Sequence, residues 1–165
     1  MKKLIALDMP CGDLFLSSVK TAWDNGDAVL PIDQRLPHNT KAEIVAQFRA
    51  SSVIDTNGKS ALKGTTVESD DALVIVTSGT TGSPKGVVLT HEAMKASSEI
   101  TSNALSVRPD SDIWLCCLPV SHIGGFSIIS RSIHTGASLE MHAAFDASKC
   151  EESARNGVSL VSLVP

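Results

Sequence analysis

Apolar residues along the chain switch repeatedly between helical and strand-like spacing. Leu14, Phe15, Val19, Ala22 and Trp23 fit a 3.6-residue stripe, and Asn25-Gly26 supplies a stop after it. Ala28 to Ile32 (AVLPI) is a short strand-type run with Pro31 near its end. Thr40 followed by Glu43 is a capping-box pattern, predicting a helix that buries Ile44, Val45 and Phe48. Ser52 to Ile54 reads as strand, and residues 57–69 as a surface connection without periodicity. Two apolar runs, Ala72 to Ile75 and Val87 to Leu89, flank a stretch of small polar residues. Thr90 is placed to cap a helix reaching about Leu105. Ile113 to Leu118 (IWLCCL) predicts a buried strand, His122 to His134 a helix despite Gly124-Gly125, and Leu139 to Met141 another strand. Asp146 caps a helix that Gly157 ends, and Val158 to Val164 (VSLVSLV) predicts a final strand. Strands separated by such helices imply βαβ units, so the expected fold class is α/β with mostly parallel sheets. Pro165 follows the last strand with no polar tail, which reads as a break within a fold.

The 165 residues are about one domain's length, and 42% hydrophobic with 19% charged residues is a globular balance. A net charge of −4 argues against a nucleic-acid partner, which needs clustered Lys and Arg. No run approaches the ~18 apolar residues of a membrane span. MKKLIALD has too few apolar residues before Asp8 for a signal peptide, so the expected location is cytoplasmic. Cys11, Cys116, Cys117 and Cys150 show no C-x-x-C spacing and read as reduced cysteines of the core. A metal site built from Cys150, His134 and His142 matches no common zinc spacing, and no metal ligand is assigned.

Between the two central apolar runs lies VTSGTTGSPKG, residues 76–86. A Walker loop would have glycine where Pro84 stands and Ser or Thr where Gly86 stands, and its lysine would open a helix rather than a β-branched strand. The G-x-G-x-x-G fingerprint lacks both its spacing and its helix. The chemistry nevertheless suits a polyphosphate. Gly79, Gly82 and Gly86 let the backbone approach a ligand closely and turn N–H groups into an anion nest. Ser78, Thr80, Thr81 and Ser83 add hydroxyl donors, Lys85 adds a charge, and Pro84 limits movement. The plain alternative is a glycine-rich hairpin turn with a solvated lysine. Hairpins use two to five loop residues as a rule, so about eight small polar ones exceed what a turn needs.

TSGTTGSPKG resembles the phosphate-loop motif of the adenylate-forming enzymes, which include acyl-CoA synthetases, luciferases and peptide-synthetase adenylation domains. Residues 26–37 (GDAVLPIDQRLP) are similar to that family's upstream G-x-x-x-x-P-L-D segment, and 118–125 (LPVSHIGG) to its L-P-x-x-H-x-x-G stretch. Residues 158–165 resemble its later strand ending in V-P. The resemblance implies a two-step reaction. A small-molecule carboxylate attacks the α-phosphate of ATP, with Mg2+, and coenzyme A as co-substrate then displaces AMP. It implies that Thr77, Ser78, Gly79, Thr80, Thr81, Gly82, Ser83, Lys85 and Gly86 hold the outer phosphates, with Lys85 and His122 in catalytic roles. His122 also follows a strand's C-terminal end, where open parallel sheets place ligands; a histidine that simply starts a helix is the plain reading. His91, beside Thr90, reads as structural, and Gly124-Gly125 as clearance for a ligand or for helix packing. Within 118–136 (LPVSHIGGFSIISRSIHTG) a finer resemblance is to o-succinylbenzoate–CoA ligases of menaquinone biosynthesis. Arg131 there either meets a substrate carboxylate or lies on a helix surface.

The family's adenine, ribose and hinge motifs and its mobile C-terminal domain lie downstream of the phosphate loop. None appears here: the chain has no tyrosine, and its Thr66-Val67-Glu68 stretch lies upstream. The expectation is therefore the incomplete N-terminal domain of such an enzyme over residues 1–165, inactive alone and working with the missing C-terminal portion. A general fatty-acyl-CoA ligase, a peptide-synthetase adenylation domain and a non-catalytic phosphate-binding module are the alternatives.

Overall fold

The parallel pairing expected from alternating strands and helices is present in the computed structural model, which describes residues 2–77 and 84–164. The length suggested one domain, but the chain forms two compact units. Met1–Met9 with Asp13–His91 make the first, and Pro10–Gly12 with Glu92–Pro165 the second.

In the first unit β1 (Leu4–Asp8), β2 (Ala28–Pro31), β3 (Ser52–Asp55), β4 (Gly58–Ala61), β5 (Asp71–Thr77) and β6 (Lys85–Thr90) form one sheet, ordered β4-β3-β1-β2-β5-β6. β1 runs parallel to both β2 and β3, so the LIALD segment, considered above only to exclude a signal peptide, is an interior strand. A strand buried on both faces shows no polar alternation, which is why its spacing did not reveal it. Helix α1 (Asp13–Asp24) carries the chain from β1 to β2, and Gly26, at φ 70°, makes the turn after it. Phe15, Val19 and Ala22 are buried as the stripe predicts, but Leu14 lies outside it, 47% exposed. Helix α2 (His38–Gln47) starts earlier than Thr40, because Lys41 N–H already closes a turn on the Pro37 carbonyl at 3.0 Å.

The unpatterned stretch after residue 57 hides β4, antiparallel to β3. All its residues are exposed, so no apolar spacing marks it, and the turn is set by Asp55, whose carboxylate accepts from Asn57 and Gly58 N–H. β5 pairs parallel with β2 and antiparallel with β6. The β5–β6 register skips Ala72, and that residue's carbonyl accepts the Trp23 indole N–H at 2.9 Å. One face of the sheet buries Leu4, Ala6, Leu30 and Val74 with Ile44 of α2, while Val45 and Phe48 pack on partly buried.

In the second unit β7 (Ile113–Cys116) lies between β8 (Ser138–Met141) and β9 (Leu160–Val161), parallel to both. The strand predicted over 158–164 contracts to two residues, since β9 is an edge strand that meets β7 only at Leu160 and Val161. Helices α3 (His91–Ala104), α4 (Ile123–Thr135) and α5 (Ala147–Arg155) follow the predicted spans within a residue or two. Gly136, at φ 78°, ends α4, and the Asp146 side chain caps α5 by accepting Lys149 N–H. Trp114, Leu115 and Cys116 are buried, as are Phe126, Ile128 and Ile129 of α4. Asp112 staples the start of β7: its carboxylate accepts Arg108 N–H at 2.7 Å and the Ser159 hydroxyl at 3.0 Å. No helix among the described residues is long and apolar enough to cross a membrane.

Candidate functional site

The phosphate-loop motif sits on the β5–β6 hairpin. The two strands pair in register up to Val76 with Gly86 and Thr77 with Lys85, and the Thr77 hydroxyl donates to the Lys85 carbonyl at 3.2 Å. The chain therefore leaves the sheet at Thr77 and returns at its cross-strand neighbour Lys85, both exposed. Ser78, Gly79, Thr80, Thr81, Gly82 and Ser83 lie outside the described residues. The flanking strands β5 and β6 are thus antiparallel neighbours, and Thr77 and Lys85 end the described part of each.

Two α2 neighbours hold the root of this hairpin, and nothing in the sequence marks either for the purpose. Gln47 donates to the Pro84 carbonyl at 2.7 Å. The Phe48 ring lies where a Gly86 side chain would be: a Cβ there would stand 2.5 Å from Phe48 Cε1 and 2.9 Å from Val74 Cγ1. Gly86 is thus required by packing, whatever its carbonyl and N–H do toward a ligand. Phe48 reads in sequence only as core, and Gln47 as a helix-surface amide.

His122 belongs to the second unit. It is the N-cap of α4, with extended backbone (φ −111°, ψ 149°), an exposed side chain and no capping bond from its imidazole. The short 118–122 segment before it is set by Gly125. A Cβ at Gly125 would lie 2.4 Å from the Pro119 carbonyl oxygen and 2.6 Å from that of Leu118, whereas one at Gly124 would meet only Leu118 Cδ1, at 3.5 Å. Of the two readings offered for the glycine pair, helix packing accounts for Gly125. Arg131 is half-buried rather than free on a helix surface. Its guanidinium stacks 4.9 Å from the Trp114 ring centroid, Nη1 donates to Ser162 at 3.4 Å, and burial lowers its pKa. His91 meets Trp23 edge-on, 5.5 Å between centroids, which fits its structural reading.

The first unit also contains a groove of about 650 Å³ beside the C-terminal ends of β1 and β3, backed by Val45 of α2 and Val53. Its polar lining includes Asp8, Lys41, Arg49 and Lys63. Asp8 is already engaged, accepting Lys41 Nζ at 2.8 Å and Gln34 Nε2 at 2.9 Å. Arg49 holds a left-handed backbone, φ 51°, just after α2, a conformation that disfavours a side chain. Among the described residues no group of three or more His, Cys, Asp or Glu is arranged to hold a metal ion; Cys150, His134 and His142 form none.

Known proteins resemble this chain in sequence and in fold. The 2-succinylbenzoate–CoA ligase of Bacillus mycoides (strain KBAB4) is 39% identical over 92 residues, 55% of this chain and 19% of that ligase. The Bacillus cereus (strain Q1) ligase matches equally over the same share. The fold is similar to that of o-succinylbenzoate CoA synthetase from Bacillus subtilis in complex with its acyl-adenylate intermediate. The TM-score is 0.82 at 20% identity, covering 99% of this chain and 50% of that one. It is as similar to the inhibitor-bound N-terminal domain of FACL13 from Mycobacterium tuberculosis, with TM-score 0.83 at 24% identity over 99% and 50% of the two chains. The chain thus spans about a fifth of the length of the curated relatives it matches and half of these solved chains. The sequence profile of the AMP-binding enzymes matches residues 14–165, and the chain belongs to that family.

Proposed function

We propose that this chain is the nucleotide-handling part of an ATP-dependent acid–thiol ligase, that its acid is an o-succinylbenzoate-type aromatic carboxylate, and that a further C-terminal portion of the same cytoplasmic enzyme completes the site. The observation that carries the reading is the hairpin: a ten-residue motif, TSGTTGSPKG, enters at Thr77 and leaves at its cross-strand partner Lys85, with its root clamped by Gln47 and Phe48. The 39% identity to 2-succinylbenzoate–CoA ligases supports the choice of acid; the fold, equally similar to FACL13, does not discriminate.

Chemically, the acid's carboxylate oxygen attacks the α-phosphorus of ATP and pyrophosphate leaves, giving the acyl-adenylate. A thiolate then attacks the acyl carbon and AMP leaves. The protein has little covalent work to do in the first step, so positioning and charge neutralisation dominate. Lys85 and the loop hydroxyls hold the departing phosphates, and Pro84, tied to Gln47, fixes where Lys85 begins. Magnesium, when bound with ATP, neutralises phosphate charge; the described residues offer no ligand set for it, and no step is assigned to it. His122 stands exposed at the entrance of α4, and the family resemblance gives it a role toward the acyl group. Coenzyme A is the thiol. The groove lined by Arg49 and Lys63, apolar at its back, suits its phosphorylated nucleotide end.

Acid-dependent ATP–pyrophosphate exchange by the complete enzyme tests this. Lys85→Ala removes one charge-assisted contact of about 1.5–3 kcal/mol, slowing exchange roughly 10- to 150-fold. An unchanged rate and ATP affinity removes Lys85 from the site, and a clear preference for long-chain fatty acids overturns the choice of acid.

A further inference from the structure

The four cysteines, all within the second unit, have no part in the reading above, yet they stand in pairs. Cys11 and Cys116 have their sulfurs 3.7 Å apart, in hydrogen-bond contact, and both are free thiols. Cys116 ends β7 and also donates to the Gly125 carbonyl at 3.5 Å, which fixes its sulfur on the Cys11 side. Cys116 is fully enclosed, whereas Cys11 keeps 7% of its surface open to solvent. Cys117, next along the chain, neighbours Cys150 instead.

We propose that Cys11 and Cys116 form a peroxide-reactive dithiol site, with Cys11 the attacking sulfur and Cys116 the resolving one. The geometry supplies a pair of sulfurs already in contact, one of them on a residue that keeps a small part of its surface open to solvent. Closing the pair asks only that the sulfurs approach from 3.7 Å to the ~2.05 Å of a disulfide. The electrostatics divide the roles the same way. The Cys116 thiol, and after it the Gly12 backbone N–H, lower the pKa of Cys11 against the opposing effect of burial. Cys11 and burial in turn push Cys116 upward. Cys117, by contrast, is pushed up to about 11, mainly by burial and then by Cys150.

The oxidant is a hydroperoxide. The Cys11 thiolate attacks the peroxide oxygen, the O–O bond breaks, and the sulfur is oxidised to a sulfenic acid as hydroxide leaves. The Cys116 sulfur then attacks the sulfenic sulfur, its proton passes to the departing hydroxide, and water leaves. Two thiols and one hydrogen peroxide thus give one disulfide and two waters. A thiol reductant reverses the bond.

The test treats the reduced 165-residue chain with hydrogen peroxide, blocks residual thiols with N-ethylmaleimide, and reads intact mass and a non-reducing digest. The expected product has lost two hydrogens, retains two blockable thiols, and yields a peptide pair linking Cys11 to Cys116. Cys116→Ser should stop at a Cys11 sulfenic acid that dimedone traps, and Cys11→Ser should leave Cys116 oxidised at least about tenfold more slowly. A Cys117–Cys150 link forming first, a sulfinic acid at Cys11 without a cross-link, or thiol loss no faster than in urea-unfolded chain overturns the proposal. The wild-type mass result decides it even if a variant does not fold. None of these readouts depends on ligase activity, so the proposed function can fail without it.

Discussion

Adding one methyl group to each of two adjacent glycines should have opposite effects. Gly124 and Gly125 both lie in the first turn of α4. At Gly124 a new Cβ meets only Leu118 Cδ1, at 3.5 Å, an ordinary contact. Gly124→Ala therefore removes glycine's backbone entropy from a helix and stabilises by about 0.5–1 kcal/mol. At Gly125 the Cβ would stand 2.4 and 2.6 Å from two backbone carbonyl oxygens, closer than the 3.0 Å that real Cβ atoms respect, so about 0.6 Å of movement is required. No side chain can rotate to supply it. Either α4 or the 118–119 backbone shifts, and overpacking of this kind costs about 1–3 kcal/mol or more, outweighing the propensity gain. The propensity gain is common to both, so the two variants should differ by the overpacking cost, about 1–3 kcal/mol in urea unfolding, with Gly125→Ala the weaker. Circular dichroism during urea unfolding reads this directly. If Gly125→Ala unfolds within about 0.5 kcal/mol of Gly124→Ala, the backbone contact is not what requires glycine.

Three more perturbations probe other parts of the fold. Gly86→Ala should lose about 1–3 kcal/mol by pressing on Phe48, and Phe48→Leu should recover part of that; additive losses in a double-mutant cycle would show that the two do not touch. Asp112 is held below its ordinary pKa first by the Arg108 backbone N–H, then by the Arg108 and Ser159 side chains. A depressed carboxylate stabilises above its unfolded pKa of about 3.9 and loses that contribution as pH falls through the folded value. Asp112→Asn should therefore lower the melting temperature at pH 7 and converge with wild type in strong acid; a constant gap across pH would refute it. Val161, Leu163 and Val164, 45%, 57% and 69% exposed at and just beyond the edge strand β9, should drive concentration-dependent self-association in sedimentation, which Val161→Lys reduces.

What the sequence reveals follows from where burial leaves a periodic trace. Helix α1 buries an apolar stripe, so its span was legible from spacing, whereas α3 and α5 bury mostly serines and were legible from the Thr90 and Asp146 caps. β1 left no trace because both its faces are covered, and β4 because neither is. Thr40 and Glu43 mimic a capping box inside a helix that had already closed on Pro37. The division into two units left no linker, since residues 10–12 join the second unit from between two elements of the first. For the site, motif residues are legible because their composition is unusual, while their supports are not. Gln47 reaches Pro84 across 37 positions of sequence, and a surface amide carries no mark of a distant carbonyl.

That difference bears on how the loop can bind an anion. In a Walker loop a helix N-terminus adds its dipole and its unpaired N–H groups to the lysine. Here Lys85 opens a strand whose peptide dipoles alternate, so β6 contributes little field of its own. On the proposed reading, loop N–H groups, hydroxyls and the Lys85 ammonium carry the phosphate charge, and each acts only if the ends of the loop are held in place. The Thr77–Lys85 pairing holds one end against the other, and Gln47 and Phe48 hold the return strand against α2. Gln47 is therefore a positioning residue. Gln47→Ala should raise the KM for ATP and lower the rate of adenylate formation in the complete enzyme while leaving the melting temperature nearly unchanged, since the amide is exposed. Gln47→Glu, which keeps the length but cannot donate to the Pro84 carbonyl, should behave like Ala. Wild-type kinetics in both variants would mean that the hairpin pairing alone fixes the loop.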